Sequence, residues 1–277
     1  MVQTFLTSLA WFGFLGIVWS ALAKLRPCTP GQPLWRSGWR ADVIYWFAGG
    51  FVFAWLHTAF VSLAAGLVFR DPAAFEGYLN QGLLGLRQAP LWLQTILALV
   101  ITDFIQYWTH RLFHTGSLWR YHAIHHGPEH VDWLTSARFH PVNTVVHSTG
   151  VAAFVTLLGF DPLVIVILAP FHMVHATMVH ANVDWDFGPF RTVLASPVFH
   201  RWHHSSDPDV RDKNFAPTFP IFDILFGTYH MPKGRRPQSF GAPDDPPPET
   251  FLGQLIYPFR RRPDAGAQDD APPVAAG

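Results

Sequence analysis

Three apolar runs, Val2–Ala23, Val43–Phe69 and Leu91–Trp108, each reach the roughly 20 residues a helix needs to cross a bilayer. In hydrocarbon every backbone N–H and C=O must be satisfied within the segment, so such runs fold as helices. A fourth stretch, Val142–Val179, is twice too long for one span and is cut by "GFDPL" around Asp161 and Pro162. It predicts a helical hairpin, and with it an all-α membrane protein of about five spans. Composition agrees: 49% of residues are hydrophobic and only 14% charged, against about 25% charged in a soluble domain.

The first run, read from Phe5, is long for a signal peptide and lacks a basic leader, so it reads as a spanning helix followed by Lys24 and Arg26. The loop 24–40 carries Lys24, Arg26, Arg36 and Arg40, whereas the loop 70–89 carries only Arg70 and Arg87. By the positive-inside rule the first loop is expected in the cytoplasm, and counting spans returns the chain there near His110 and near Asn182. Residues 1–235 are expected to form one membrane-embedded domain. The segment 236–277, with "DDPPPET" and "RRRPDAGAQDDAPPVAAG", is expected to be a polar, Pro-rich and largely disordered tail. Equal numbers of basic and acidic residues, 19 of each, give a nucleic-acid partner no electrostatic support. A single cysteine, Cys28, excludes a disulfide framework, a Cys-based zinc site and an iron–sulfur cluster within the chain.

Histidine breaks the apolar pattern. Of 16 histidines, three sit in "HAIHH" (His122, His125, His126) and three in "HRWHH" (His200, His203, His204). At this histidine frequency two such H-x-x-H-H boxes arise by chance about once in a thousand chains. "HRLFH" adds His110 and His114. Spacings of three and four place each cluster on one helical face. Neutral imidazole is the commonest protein metal ligand, and eight of them exceed what one ion accepts, which predicts more than one metal. The boxes contain no carboxylate and no H-E-x-x-H, so a zinc-protease base is missing. Iron, zinc, copper and nickel all suit such a donor set. The scattered His57, His130, His147 and His230 read as packing or interfacial residues. Trp108, Trp119, Trp133 and Trp202 read as an interfacial belt.

The segments "DFIQYWTHRLFH", "RYHAIHH", "RFHP", "HANV" and "SPVFHRWHHSSDPDVRDKNFAPTFPIFDILFGTYH" closely resemble the fatty acid hydroxylase / sterol desaturase superfamily over residues 95–235. The resemblance implies an integral-membrane di-iron oxygenase that uses O2 and two electrons to hydroxylate or desaturate a lipid. It marks His110, His114, His122, His125, His126, His200, His203 and His204 as ligands of two iron ions in a cytoplasmic helical cap. Of His172, His175 and His180, the last matches the pattern. On one helix His175 and His180 point about 140° apart, and His172 lies about 12 Å from His180 along the axis. His180 is therefore taken as the ninth ligand, with His175 joining only if the helix unwinds or bulges between them; otherwise His172 and His175 are packing or supporting residues. Asp103, two turns before His110, is expected to accept the free N–H of a ligand histidine. Asn214 and Asp223 are expected to brace the last box. With no redox module in the sequence, a separate electron-donor protein is expected beside the lipid. The competing readings are a metal transporter or sensor and a zinc-dependent membrane hydrolase.

Overall fold

The computed structural model describes residues 2–69 and 71–260. Arg70 and the stretch 261–277, on which parts of the loop-charge and tail expectations fall, lie outside the described residues. The described chain is all-helical; strand-like pairing is limited to one isolated bridge, Ser205 with Phe240. Helix α1 (Val2–Leu25) holds no charged residue until Lys24. Helix α2 (Trp39–Val68) is followed by the short α3 (Pro72–Gln81) and by α4 (Leu91–Phe113). The box-bearing α5 (Trp119–His126) comes next.

The expected hairpin is present. Its first arm runs through α6 (Pro141–Asn143), a π-helical turn (Thr144–Thr149) and α7 (Gly150–Leu157). Gly159, at φ 76°, turns the chain, and α8 (Pro162–His180) returns. Asp161 caps α8 by accepting the Leu163 N–H at 2.9 Å, and Pro162 occupies the first turn, where a missing N–H costs nothing.

Four helices are long and apolar enough to cross a membrane: Gln3–Leu25, Trp39–Val68, Leu91–Phe113 and Pro162–His180. The expected fifth, the first arm of the hairpin, is shorter and interrupted by its π turn. Helix α4 continues past Trp108, so His110 rides the last turn of a span rather than a following loop.

After α8 the chain forms α9 (Pro197–His203) and α10 (Ile221–Leu225). Ser196 caps α9 through the Phe199 N–H at 3.1 Å. This "SP" start fixes a two-turn helix whose one face carries the last histidine box. Part of the tail expected to lack order is packed instead. Helix α11 (Phe251–Ile256) follows a stretch that crosses the box side, and Tyr257 is buried against Ala123 and Ile124 of α5. The Ser206 N–H donates to the Ser239 carbonyl at 3.0 Å. Aromatic and apolar side chains (Phe240, Phe251, Tyr257) spaced through this proline-rich stretch supply the burial that its composition obscured.

Candidate metal centre

The nine histidines chosen from sequence meet in one place. Ring nitrogens of His110, His114, His122, His126 and His203 form one group, and those of His125, His180, His200 and His204 a second, each mutually within 4.8 Å. Eight of the nine are buried, and His114 is half-buried. They arrive from α4, α5, α8 and α9, which no single local pattern joins.

The orientation of the rings is fixed from behind. Nδ1–H of His110 donates to the Phe215 carbonyl (2.8 Å), that of His203 to Lys213 (2.8 Å), that of His125 to Arg138 (3.2 Å) and that of His180 to Ala176 (2.7 Å). His122 Nδ1 meets Asn143 Oδ1 at 2.7 Å, and His114 Nδ1 meets the Asp212 carboxylate at 2.9 Å. A carbonyl only accepts, so His110, His125, His180 and His203 carry their proton on Nδ1, and Nε2 presents a lone pair. This is the tautomer-setting arrangement of metal-binding histidines.

The inner nitrogens fit cations. His125 Nε2 and His180 Nε2 face each other at 3.1 Å, lone pair to lone pair, and His180 Nε2 lies 2.9 Å from His200 Nε2. Without a cation between them the His125–His180 contact is repulsive. With one, a spacing of about 3 Å is that of two donors at right angles on an ion with bonds of about 2.1 Å. In the other group the Nε2 atoms of His114, His126 and His203 are buried without a hydrogen-bond partner. Burial first, then neighbouring imidazoles, holds His122, His125, His126, His200, His203 and His204 well below the ordinary histidine range. The rings therefore stay neutral, the form that binds metal.

The expected role of Asp103 is corrected. Its carboxylate accepts the N–H groups of Thr218 (2.7 Å) and Phe219 (2.8 Å), not a histidine. Seven residues put it about 10 Å from His110 along α4, level with the loop that follows the last box. That loop alternates roles: its carbonyls at Lys213, Phe215 and Pro217 accept hydrogen bonds from His203, His110 and His175. Its N–H groups go to buried carboxylates, Phe215 and Ala216 to Asp223 (2.7 and 2.9 Å) and Thr218 and Phe219 to Asp103. Asn214 ties it to the Phe199 carbonyl on α9 (2.9 Å) and to His230 (2.7 Å). Both braces thus act through the backbone. His175 lies outside both histidine groups, its Nε2 on the Pro217 carbonyl at 3.0 Å.

Asp212 and Asn143 escaped the sequence reading. Asp212 and Asn214 both hold φ of 59°, a conformation Asp and Asn tolerate better than most residues, and "DKN" was the available signal. Of the expected tryptophan belt, Trp108 is exposed. Trp119 instead packs on His114 and His126 (5.1 and 5.2 Å), and Trp202 is buried.

One opening reaches the centre, and a larger cavity lies beside it. The opening, polar and of about 290 Å³, touches His114, His126 and His203 and is rimmed by Arg211, Asp212 and Asp244. The cavity, about 840 Å³, lies among α1, α2, α8 and the π turn. Its wall includes Phe139, stacked on His125 at 4.3 Å, and Ala176, whose carbonyl holds His180. An apolar cavity between candidate spans thus abuts the four-histidine group.

Residues 95–228, 134 of the 277, match the model of the fatty acid hydroxylase family. Among curated proteins it is 33% identical over 176 residues to the ornithine lipid hydroxylase OlsE of Rhizobium tropici, covering 63% of this chain and 53% of that protein. It is 28% identical over 167 residues to the alkylglycerol monooxygenase of Caenorhabditis elegans (59% of this chain, 32% of that protein). With the human alkylglycerol monooxygenase it shares 27% over 198 residues (68% and 44%). The matched region therefore spans between a third and about half of these relatives. No solved structure matches the chain.

Proposed function

We propose that the protein is a membrane-bound monooxygenase that hydroxylates a lipid C–H bond. The observation that carries this reading is the pair of histidine groups, with a cavity between membrane helices lined by Phe139 and Ala176, which pack on or hold two of their rings. The nine histidines would hold two iron ions, five donors to one and four to the other. Bound there, iron supplies activation of O2: with two electrons and two protons, one oxygen atom enters the C–H bond and the other leaves as water. The names of the three relatives above favour hydroxylation over desaturation, since they are a hydroxylase and two monooxygenases.

The chain's own residues do the rest. Backbone carbonyls, Asn143 and Asp212 hold the rings in place. Phe139 and the helices around the cavity keep water from the reacting carbon, while the polar opening gives a separate electron-donor protein its approach to His114. The test is metal analysis with comparative lipidomics in a host that makes the protein. Two irons per chain and a lipid gaining one oxygen atom are expected; full activity with zinc alone overturns the reading.

Among the described residues Asp212 is the one carboxylate hydrogen-bonded to a box histidine, and its side chain is 65% exposed, so its loss should leave the fold intact. Asp212→Ala is expected to weaken iron retention roughly tenfold to a hundredfold, the usual cost of removing such a partner, as read by chelator challenge. Unchanged retention would remove the residue from this role.

The charge difference between the loops supports a cytoplasmic metal centre. Cysteine placed at the exposed Ser117 or Asp209 should react with an impermeant thiol reagent only once the cytoplasmic face is opened. Native Cys28 is buried and adds little background. Labelling in intact cells would invert the topology.

A further inference from the structure

Resting on the two-iron reading above, we infer that the polar opening is the port through which metal ions enter and leave. The five-histidine site then exchanges its ion with solution directly, and the four-histidine site only by way of the first. Three donors of the five-histidine group, His114, His126 and His203, form part of the port's wall. His126 and His203 are only 4% and 2% exposed. The Nε2 atoms of all three are buried without a hydrogen-bond partner among the described residues. Unpaired ring nitrogens thus stand at the inner end of a passage from water. His125, His180, His200 and His204 are absent from that wall. They pack behind it, His204 stacked on His126 at 4.4 Å and His200 on His203 at 5.2 Å. An ion moving inward from the opening therefore meets the five-histidine group first.

The rim carries the charge such a route needs. Asp212, Asp244 and Asp245 set three carboxylates against one guanidinium, that of Arg211. The membrane-side cavity, by contrast, has no charged residue and no histidine in its described lining. A cleft of one predominant sign concentrates counter-ions at its mouth. Imidazole suits iron better than carboxylate oxygen does, so an ion caught at the rim gains by moving inward. Arg211 stands across this path. It donates to Asp244 at 2.6 Å and to the Ser206 carbonyl at 3.3 Å, and so joins the end of the last box to the proline-rich stretch. The two side chains of the ion pair are 38% and 76% exposed. A pair that open to water holds weakly and yields to a passing cation.

Isotope exchange tests the port. Full-length protein loaded with a heavy iron isotope in detergent is mixed, without oxygen, with excess natural Fe(II), and the isotopes held by the intact protein are followed by native mass spectrometry. One iron should exchange severalfold faster than the other. In His125→Ala protein, whose four-histidine site is impaired, the iron that remains should exchange at the fast rate. Arg211→Gln should speed the fast phase by roughly tenfold, the lower end of what local fields do to association rates, with iron content unchanged. Ala242→Trp, at a half-buried position in the wall, should slow both irons; should it fail to fold, Arg211→Gln decides alone. Gly49→Leu reaches into the membrane-side cavity, where an added Cβ meets nothing within 4 Å, and should leave both rates as they are.

Two irons exchanging at one common rate, an Arg211→Gln protein with unaltered exchange, or slowing by Gly49→Leu overturns the inference and leaves the oxygenase reading standing. Two zinc ions in fully active protein sink the oxygenase reading, whereas separate exchange rates for those ions still support the port.

Discussion

Replacing His125 or His203 by alanine should abolish oxygen insertion and lower the iron content of the purified protein. His125 is locked from behind by the Arg138 carbonyl and from the side by Phe139, and its Nε2 faces that of His180 at 3.1 Å. Alanine leaves one group with three donors. In the other group, His203 is held by the Lys213 carbonyl, and its buried Nε2 has no hydrogen-bond partner among the described residues. Removing a group that merely orients a ligand costs about tenfold to a hundredfold, so loss of the ligand itself should exceed a hundredfold. His57 lies outside both groups, its Nε2 on Thr156 at 3.0 Å, and His57→Ala should keep normal iron and near-normal turnover. A His125→Ala protein with two irons and ordinary activity would disprove the ligand assignment.

The largest loss of stability should follow Asp42→Ala. Asp42 is completely buried on α2 and bridges Arg36 and Arg138, both about 3% exposed. Arg36 retains Asp132 at 2.9 Å, but Arg138 has no other carboxylate partner among the described residues. Removing one member of a buried ion pair strands the other, at a cost of about 3–5 kcal/mol. Because the Arg138 carbonyl receives the His125 proton, iron content should fall along with the melting temperature. Thermal unfolding in detergent checks this. An Asp42→Ala protein that melts with its parent and keeps its iron would show that the network does not support the centre.

Four of the five expected spans, the hairpin and the one-face spacing of the histidine boxes were legible in the sequence, because these signals are local. Twenty apolar residues must become a helix in hydrocarbon, and spacings of three and four fix a helical face whatever surrounds it. Helical phase separated His175 from His180, the place of His180 at the end of the hairpin and its match to the family pattern favoured it, and its nitrogens fall in the four-histidine group. Which histidines share a group was not legible. "HAIHH" is divided, His122 and His126 on one side and His125 on the other, and "HRWHH" likewise gives His203 to one group and His200 and His204 to the second. That division depends on how α4, α5, α8 and α9 pack, a relation among residues up to about a hundred positions apart. The same limit explains Asp103, correctly singled out as a costly polar residue in a span but given the wrong partner. Only the folded chain brings the backbone at Thr218 and Phe219 against it. The tail misled for a related reason: proline and acidic residues dominate its composition, whereas a few aromatic contacts with α2 and α5 decide where it lies. Local periodicity thus set which groups the chain can present, and tertiary packing decided which of them face one another, since a hydrogen bond or a shared ion depends on distance in space rather than along the chain.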